Sequence, residues 1–107
     1  MKLRTLRVVE VRELVMEMRS FAALPPGPNP QALARAKEIW FLLQGQAWAS
    51  EWMKGKVQEA WRSLQILLSA RRWRSVTSID FVRAEVKGPC SRVMAALQQK
   101  SGARRSA

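Results

Sequence analysis

Histidine and tyrosine are absent from this 107-residue chain, and cysteine occurs once. Without histidine the commonest general base and the commonest nitrogen ligand for metals are gone. Cys90 allows no internal disulfide, fits a reducing compartment, and has no imidazole to activate it as a nucleophile. Carboxylates are scarce too, eight against nineteen Lys and Arg. Most sit at helical spacing with basic residues, as Glu13 and Glu17 do beside Arg12 and Arg19. No Gly-rich phosphate loop, HExxH or CxxC occurs. These absences lead us to expect a binding protein, not an enzyme, with no cofactor and no metal. The longest bulky apolar run, Ile39 to Leu43, falls far short of the ~20 residues that cross a bilayer. Met1 to Arg7 is charged too densely for a signal peptide. The expectation is a soluble cytoplasmic chain, in the host's cytoplasm if the source is viral.

What is present reads as helix. Hydrophobic residues make up 48% and charged residues 25%, a globular composition. Val8, Val11, Val15 and Met18 recur in three- and four-residue steps within residues 3–24, the stripe of an amphipathic helix. The β-branched opening Leu6 to Val11 is also compatible with a short strand. Pro25-Pro26-Gly27-Pro28 must end that element, and Asn29-Pro30 reads as a cap and first position of the next helix. Leu33, Ala36, Trp40 and Leu43 give the second helix its face, and Gln44-Gly45-Gln46 marks a turn. A third helix is expected from Trp48 to Ala70, with Trp52, Val57, Trp61, Leu64 and Leu68 inward. In the last third, Thr77 and Asp80 suggest a capping box before a short helix bearing Phe81, Val82 and Val86. Lys87-Gly88-Pro89-Cys90 reads as a turn, and Ser91 as the cap of a final helix with Val93, Met94 and Leu97. The expected fold is all-α with four to five helices: a helical core or dimerisation layer over residues 1–70, then a basic helix-turn-helix-like segment over 71–107 with a frayed tail.

The charge is unevenly placed. Residues 62–107 hold ten of the nineteen basic groups and two of the eight acidic ones. A duplex carries one negative charge per ~1.7 Å of axis, so such a patch suits it through counterion release.

Within that region Trp73, Thr77, Ala84, Gly88-Pro89, Ser91-Arg92-Val93, Leu97 and Gly102 follow a spacing that resembles the helix-turn-helix core of small bacterial and phage winged-helix regulators. The likeness covers about thirty residues. Arg83 stands where that pattern usually has an apolar residue, and Pro89 is unusual after the turn glycine; no hairpin wing is expected after Gly102. The resemblance implies that Ser91 and Arg92 face a major groove, with Arg92 able to pair bidentately with guanine. It also implies that Arg83, Lys87, Lys100 and the Arg71, Arg72 and Arg74 cluster grip phosphates. Trp73, between Arg72 and Arg74, is the candidate for stacking on bases. Duplex DNA is the favoured partner, and the chain reads as a DNA-binding regulator or accessory factor of bacterial or phage origin. Val8, Val11, Val15 and Met18 are then candidates for a homodimer interface. Two alternatives stand beside this reading: a small phage-type protein that docks on a host protein machine, and a small helical subunit of a larger nucleoprotein complex.

Overall fold

A computed structural model describes residues 5–69 and 79–106, the last eight of these by their backbone alone. Among the described residues there are four α-helices, α1 (Val8–Ser20), α2 (Pro30–Gln44), α3 (Glu51–Leu67) and α4 (Ile79–Ser106), and a 3-10 turn over Phe21–Ala23. No strand occurs among the described residues, so the opening Leu6–Val11 resolves in favour of helix from Val8 onward. The N-terminal turn of α1 is closed by Glu10, whose carboxylate accepts the Arg7 amide at 3.1 Å.

The caps follow local chemistry. Asn29 Oδ1 accepts the Ala32 amide at 3.1 Å with Pro30 in the first turn, as the sequence suggests. Ser50 does the same for Met53 at 3.1 Å, so α3 starts at Glu51 and not at Trp48. The proline-rich connection is held against the far end of α3. The Gly27 amide donates to the Leu67 carbonyl (2.9 Å) and the Asn29 amide to the Leu68 carbonyl (3.1 Å). Those carbonyls have no partner within the helix, so the loop supplies what the helix end lacks. Gly27 reaches this position at φ +119°, where a Cβ is strained.

One apolar core joins all four helices. Val11, Val15 and Met18 of α1, Ala36, Ile39 and Leu43 of α2, Val57, Leu64 and Leu67 of α3, and Val82, Val86, Val93 and Leu97 of α4 are all buried. The candidate dimer interface is therefore inside the molecule: Val11, Val15 and Met18 are at most 1% exposed, and Val8 packs half-buried against the same cluster. An apolar helical stripe looks the same whether a partner or the chain itself covers it, and here the chain does. The division at residue 70 likewise separates no packing units, because α4 lies against α1 and α3 in that core.

The largest departure is in α4. The turn expected at Lys87–Cys90, and the cap expected at Ser91, are absent: the helix runs unbroken from Ile79 to Ser106 with Pro89 inside it. Proline removes one backbone hydrogen bond and costs about 3 kcal/mol in a helix interior. Against that, Val82, Val86, Cys90, Val93 and Leu97 continue one buried stripe across the Gly88-Pro89 step. Each such side chain contributes roughly 1.5–3 kcal/mol on burial, so keeping the stripe in register outweighs the proline. Gly88 stays helical and takes no positive φ.

Candidate nucleic-acid interface

The proposed contact residues fall into three groups. Arg71, Arg72, Trp73 and Arg74, together with the Thr77 cap, lie outside the described residues, and Lys100 is placed by its helical backbone only. Arg83 and Ser91 are engaged within the fold. An Arg83 guanidinium nitrogen donates to the Leu24 carbonyl at 3.1 Å, and the Arg83 Nε is buried without a hydrogen-bond partner. That arginine fastens α4 to the connection after α1, which explains a charged residue at a half-buried helical position. Ser91 Oγ accepts from Arg19 Nε at 2.9 Å, tying α1 to α4 across their exposed edge. Lys87 and Arg92 remain: both are exposed, and neither has an ion-pair partner among the described residues.

Lys87 and Arg92 are five residues apart and so about 140° apart around the helix. They flank a crest of small residues, Ala84, Gly88, Ser91 and Ala95, which is open to solvent or nearly so. Arg62 of α3 is also exposed and unpaired among the described residues.

The acids collect elsewhere. Glu10, Glu13 and Glu17 on α1, with Leu14 and with Arg35 of α2, line a cleft of about 270 Å³. Arg35 forks onto Glu17, Nε to Oε2 at 2.6 Å and Nη2 to Oε1 at 2.9 Å, and also pairs with Glu38. The hydrogen bond from Arg35, reinforced by its charge, holds the Glu17 carboxyl below its ordinary value, and the same pair raises Arg35. Glu10, Glu13 and Glu17 stand at three- and four-residue spacing, a signal in the sequence that the charge totals concealed. Four of the eight acids, Glu10, Glu13, Glu17 and Glu38, thus lie on α1 and α2, while the net positive charge of residues 62–107 belongs mainly to α4 and the chain leading into it.

The tryptophans divide differently from the apolar pattern. Trp40 and Trp61 stack at 6.0 Å and pack against the core. Trp48 Nε1 donates to the Leu6 carbonyl at 3.0 Å. Trp52, expected inward, is 48% exposed. Its position lies off the line of Val57, Leu64 and Leu67, so the buried face of α3 does not include it. Cys90 is buried, and its thiol is pushed up to about 12 by burial, against a small opposing effect of Arg19. It is a packing residue, not a nucleophile. No group of carboxylates and thiols able to hold a metal occurs among the described residues, and no helix there is long and apolar enough to cross a membrane.

No family model matches the chain, and neither a curated protein nor a solved structure is similar to it.

Proposed function

We propose that this protein binds nucleic acid through the basic surface of α4 and the segment that leads into it, as a regulatory or accessory factor and not as an enzyme. The observation that carries the reading is the separation of charge. Ten of nineteen basic residues but only two of eight acidic ones lie in residues 62–107. Meanwhile three of the acids are drawn into one cleft on α1 beside Arg35. A solvated surface that is merely rich in arginine has no reason to sort its signs in this way. Lys87 and Arg92 stand exposed on either side of a small-residue crest, an arrangement in which a phosphate backbone can come close to a helix between two cations. Contacts of this kind position a protein on nucleic acid without reading sequence. The continuous α4 therefore favours backbone recognition over the base-reading role that the helix-turn-helix resemblance implies for Ser91.

The test is a fluorescence-anisotropy titration of a random-sequence duplex at ~50 and ~200 mM salt. Six or more phosphate contacts reduce affinity by about 10³-fold over that range. The variant R71A/R72A/R74A is expected to give a shallower slope. Failure to bind at ~50 mM salt sinks the proposal.

A second reading, docking on a protein machine, is supported by Phe41, Trp52, Ile66 and Phe81, which are 48–57% exposed. Truncating these side chains should leave nucleic-acid affinity unchanged while abolishing capture of a protein partner.

A further inference from the structure

Arg12 and Arg19 stand beside Glu13 and Glu17 in the sequence, yet neither arginine forms an ion pair among the described residues. Rotation about the helix explains this. At 3.6 residues per turn the two arginines lie within about 20° of each other on α1, and Glu10, Glu13 and Glu17 lie about 100° or more away. Those acids line the cleft beside Arg35, and Glu17 is bonded to that arginine. The opposite flank of α1 meets α4. Arg19 Nε donates to Ser91 Oγ at 2.9 Å, and Arg83 reaches the Leu24 carbonyl just past α1. Arg19 with Ser91 and Leu24 with Arg83 make the two helices antiparallel. Lys87, one turn before Ser91, therefore lies beyond Arg19 on the side away from Arg12. Seven residues of α1 and four of α4, at 1.5 Å each, make Arg12, Arg19 and Lys87 a row about 16 Å long. Asp80 stands two turns beyond Lys87, past the end of that row.

The arginines on the two flanks of α1 are treated differently. Arg35 meets two carboxylates, which neutralise it. Arg19 meets a neutral hydroxyl, which fixes the guanidinium and leaves its charge unmatched. Arg12 is half-buried, with its Nε covered and without a hydrogen-bond partner. Lys87 is exposed. Like charges held in a row repel one another, and an anionic ligand laid along the seam relieves that repulsion.

We infer that the α1–α4 seam is a track for the phosphate backbone of nucleic acid, gripped by Arg12, Arg19 and Lys87. This inference rests on the nucleic-acid reading above and adds α1 to the interface. A nucleic-acid strand repeats its charge along a line, as the row does, and guanidinium binds phosphate through paired hydrogen bonds. Contacts to phosphate carry no sequence information, so the track serves a duplex and a single strand alike.

The experiment titrates the full chain with a labelled random-sequence DNA duplex and with its single strand, at ~50 and ~200 mM salt. Wild type, R12Q/R19Q, R12K/R19K and K37Q/K54Q are compared. Loss of two phosphate contacts should lower the salt slope of R12Q/R19Q by about 1.8 on the duplex and about 1.4 on the single strand. On the duplex this narrows the affinity ratio between the two salt concentrations by about 12-fold. R12K/R19K keeps both charges and should keep the wild-type slope. K37Q/K54Q removes the same charge from α2 and α3, where neither lysine has an ion-pair partner among the described residues, and should keep it too. A wild-type slope in R12Q/R19Q, or an equal fall in K37Q/K54Q, overturns the track and leaves the wider reading standing. A fall in R12K/R19K as deep as in R12Q/R19Q means that the arginines act through the fold and not through charge, which also overturns it. Displacement of the labelled duplex by poly-glutamate as readily as by unlabelled duplex assigns the seam to acidic protein surfaces and overturns the phosphate track. If wild type binds neither DNA at ~50 mM salt, the nucleic-acid reading fails and the track fails with it.

Discussion

Gln46, just beyond the end of α2, is a buried polar side chain, 1% exposed. Its Oε1 accepts the Leu6 amide at 2.8 Å, and its Nε2 donates to the Leu42 carbonyl in the last turn of α2 at 3.0 Å. On the other side of Leu6, Trp48 Nε1 holds the carbonyl. One glutamine thus satisfies an amide before α1 and a carbonyl that the end of α2 leaves without a helical partner. Gln46→Leu keeps the volume and removes both bonds. Each buried group left without a partner costs about 1–3 kcal/mol, and the better burial of leucine returns about 1 kcal/mol. The net loss is about 1–5 kcal/mol, a large share of the 5–15 kcal/mol that ordinarily holds a domain together. For a chain of this size the melting temperature should fall by on the order of 5–25 °C. Urea unfolding followed by far-ultraviolet circular dichroism gives the free energy directly. Trp48→Phe should cost about 1 kcal/mol, and the double variant should lose less than the sum, because both side chains act on Leu6. If Gln46→Leu leaves the midpoint and slope unchanged, Leu6 is not anchored by this pair and the account of the N-terminal segment is wrong.

Val15→Asp is expected to unfold the chain, not to yield a folded monomer; sedimentation velocity with circular dichroism distinguishes the two, and a folded monomer would restore an interface role to α1. Cys90 should resist a thiol reagent at pH 8 in the native state and react rapidly in urea, since burial keeps it protonated; immediate native reaction would contradict its placement. Glu17 has a folded-state pKa below its ordinary value of 4.5. Its contribution is thus complete above that value and is lost as pH falls through the depressed one. Glu17→Gln should therefore cost under about 1 kcal/mol at pH 7, as a half-exposed pair does, and flatten the acid limb of the stability profile. Pro89→Ala should raise the melting temperature by restoring the amide that a helix interior needs; a fall would mean that the ring's packing dominates.

The all-α class, the boundaries near the proline-rich connection and the Asn29 cap were legible because each rests on local chemistry. Proline stops a helix, asparagine accepts an amide, and apolar residues recur at helical spacing. What covers an apolar stripe is not local, and Val11, Val15 and Met18 went to the core and not to a partner for that reason. Gly88-Pro89 misled in the opposite way. Its local signal for a turn is strong, yet Val82, Val86, Cys90, Val93 and Leu97 kept a helical period through it, and burial on both sides of the proline decided the outcome. Exposure of Trp52 is not legible in the sequence, because a large aromatic beside an apolar face has the same local pattern whether it packs inward or stays in solvent.

Charge placement was legible in its totals and not in its roles. The excess over residues 62–107 is a count, independent of the fold. Which of those cations a ligand can reach depends on what else they satisfy, and Arg83 is held by the Leu24 carbonyl while Lys87 and Arg92 are not held. The acids show the same dependence: Glu17 is matched by Arg35 from a different helix, so the α1–α2 side is closer to neutral than its carboxylates suggest. Both corrections narrow the contrast that the totals suggest. Arg83 is engaged inside the fold and the Glu17 charge is matched by Arg35, so what α4 offers a ligand among the described side chains is Lys87 and Arg92.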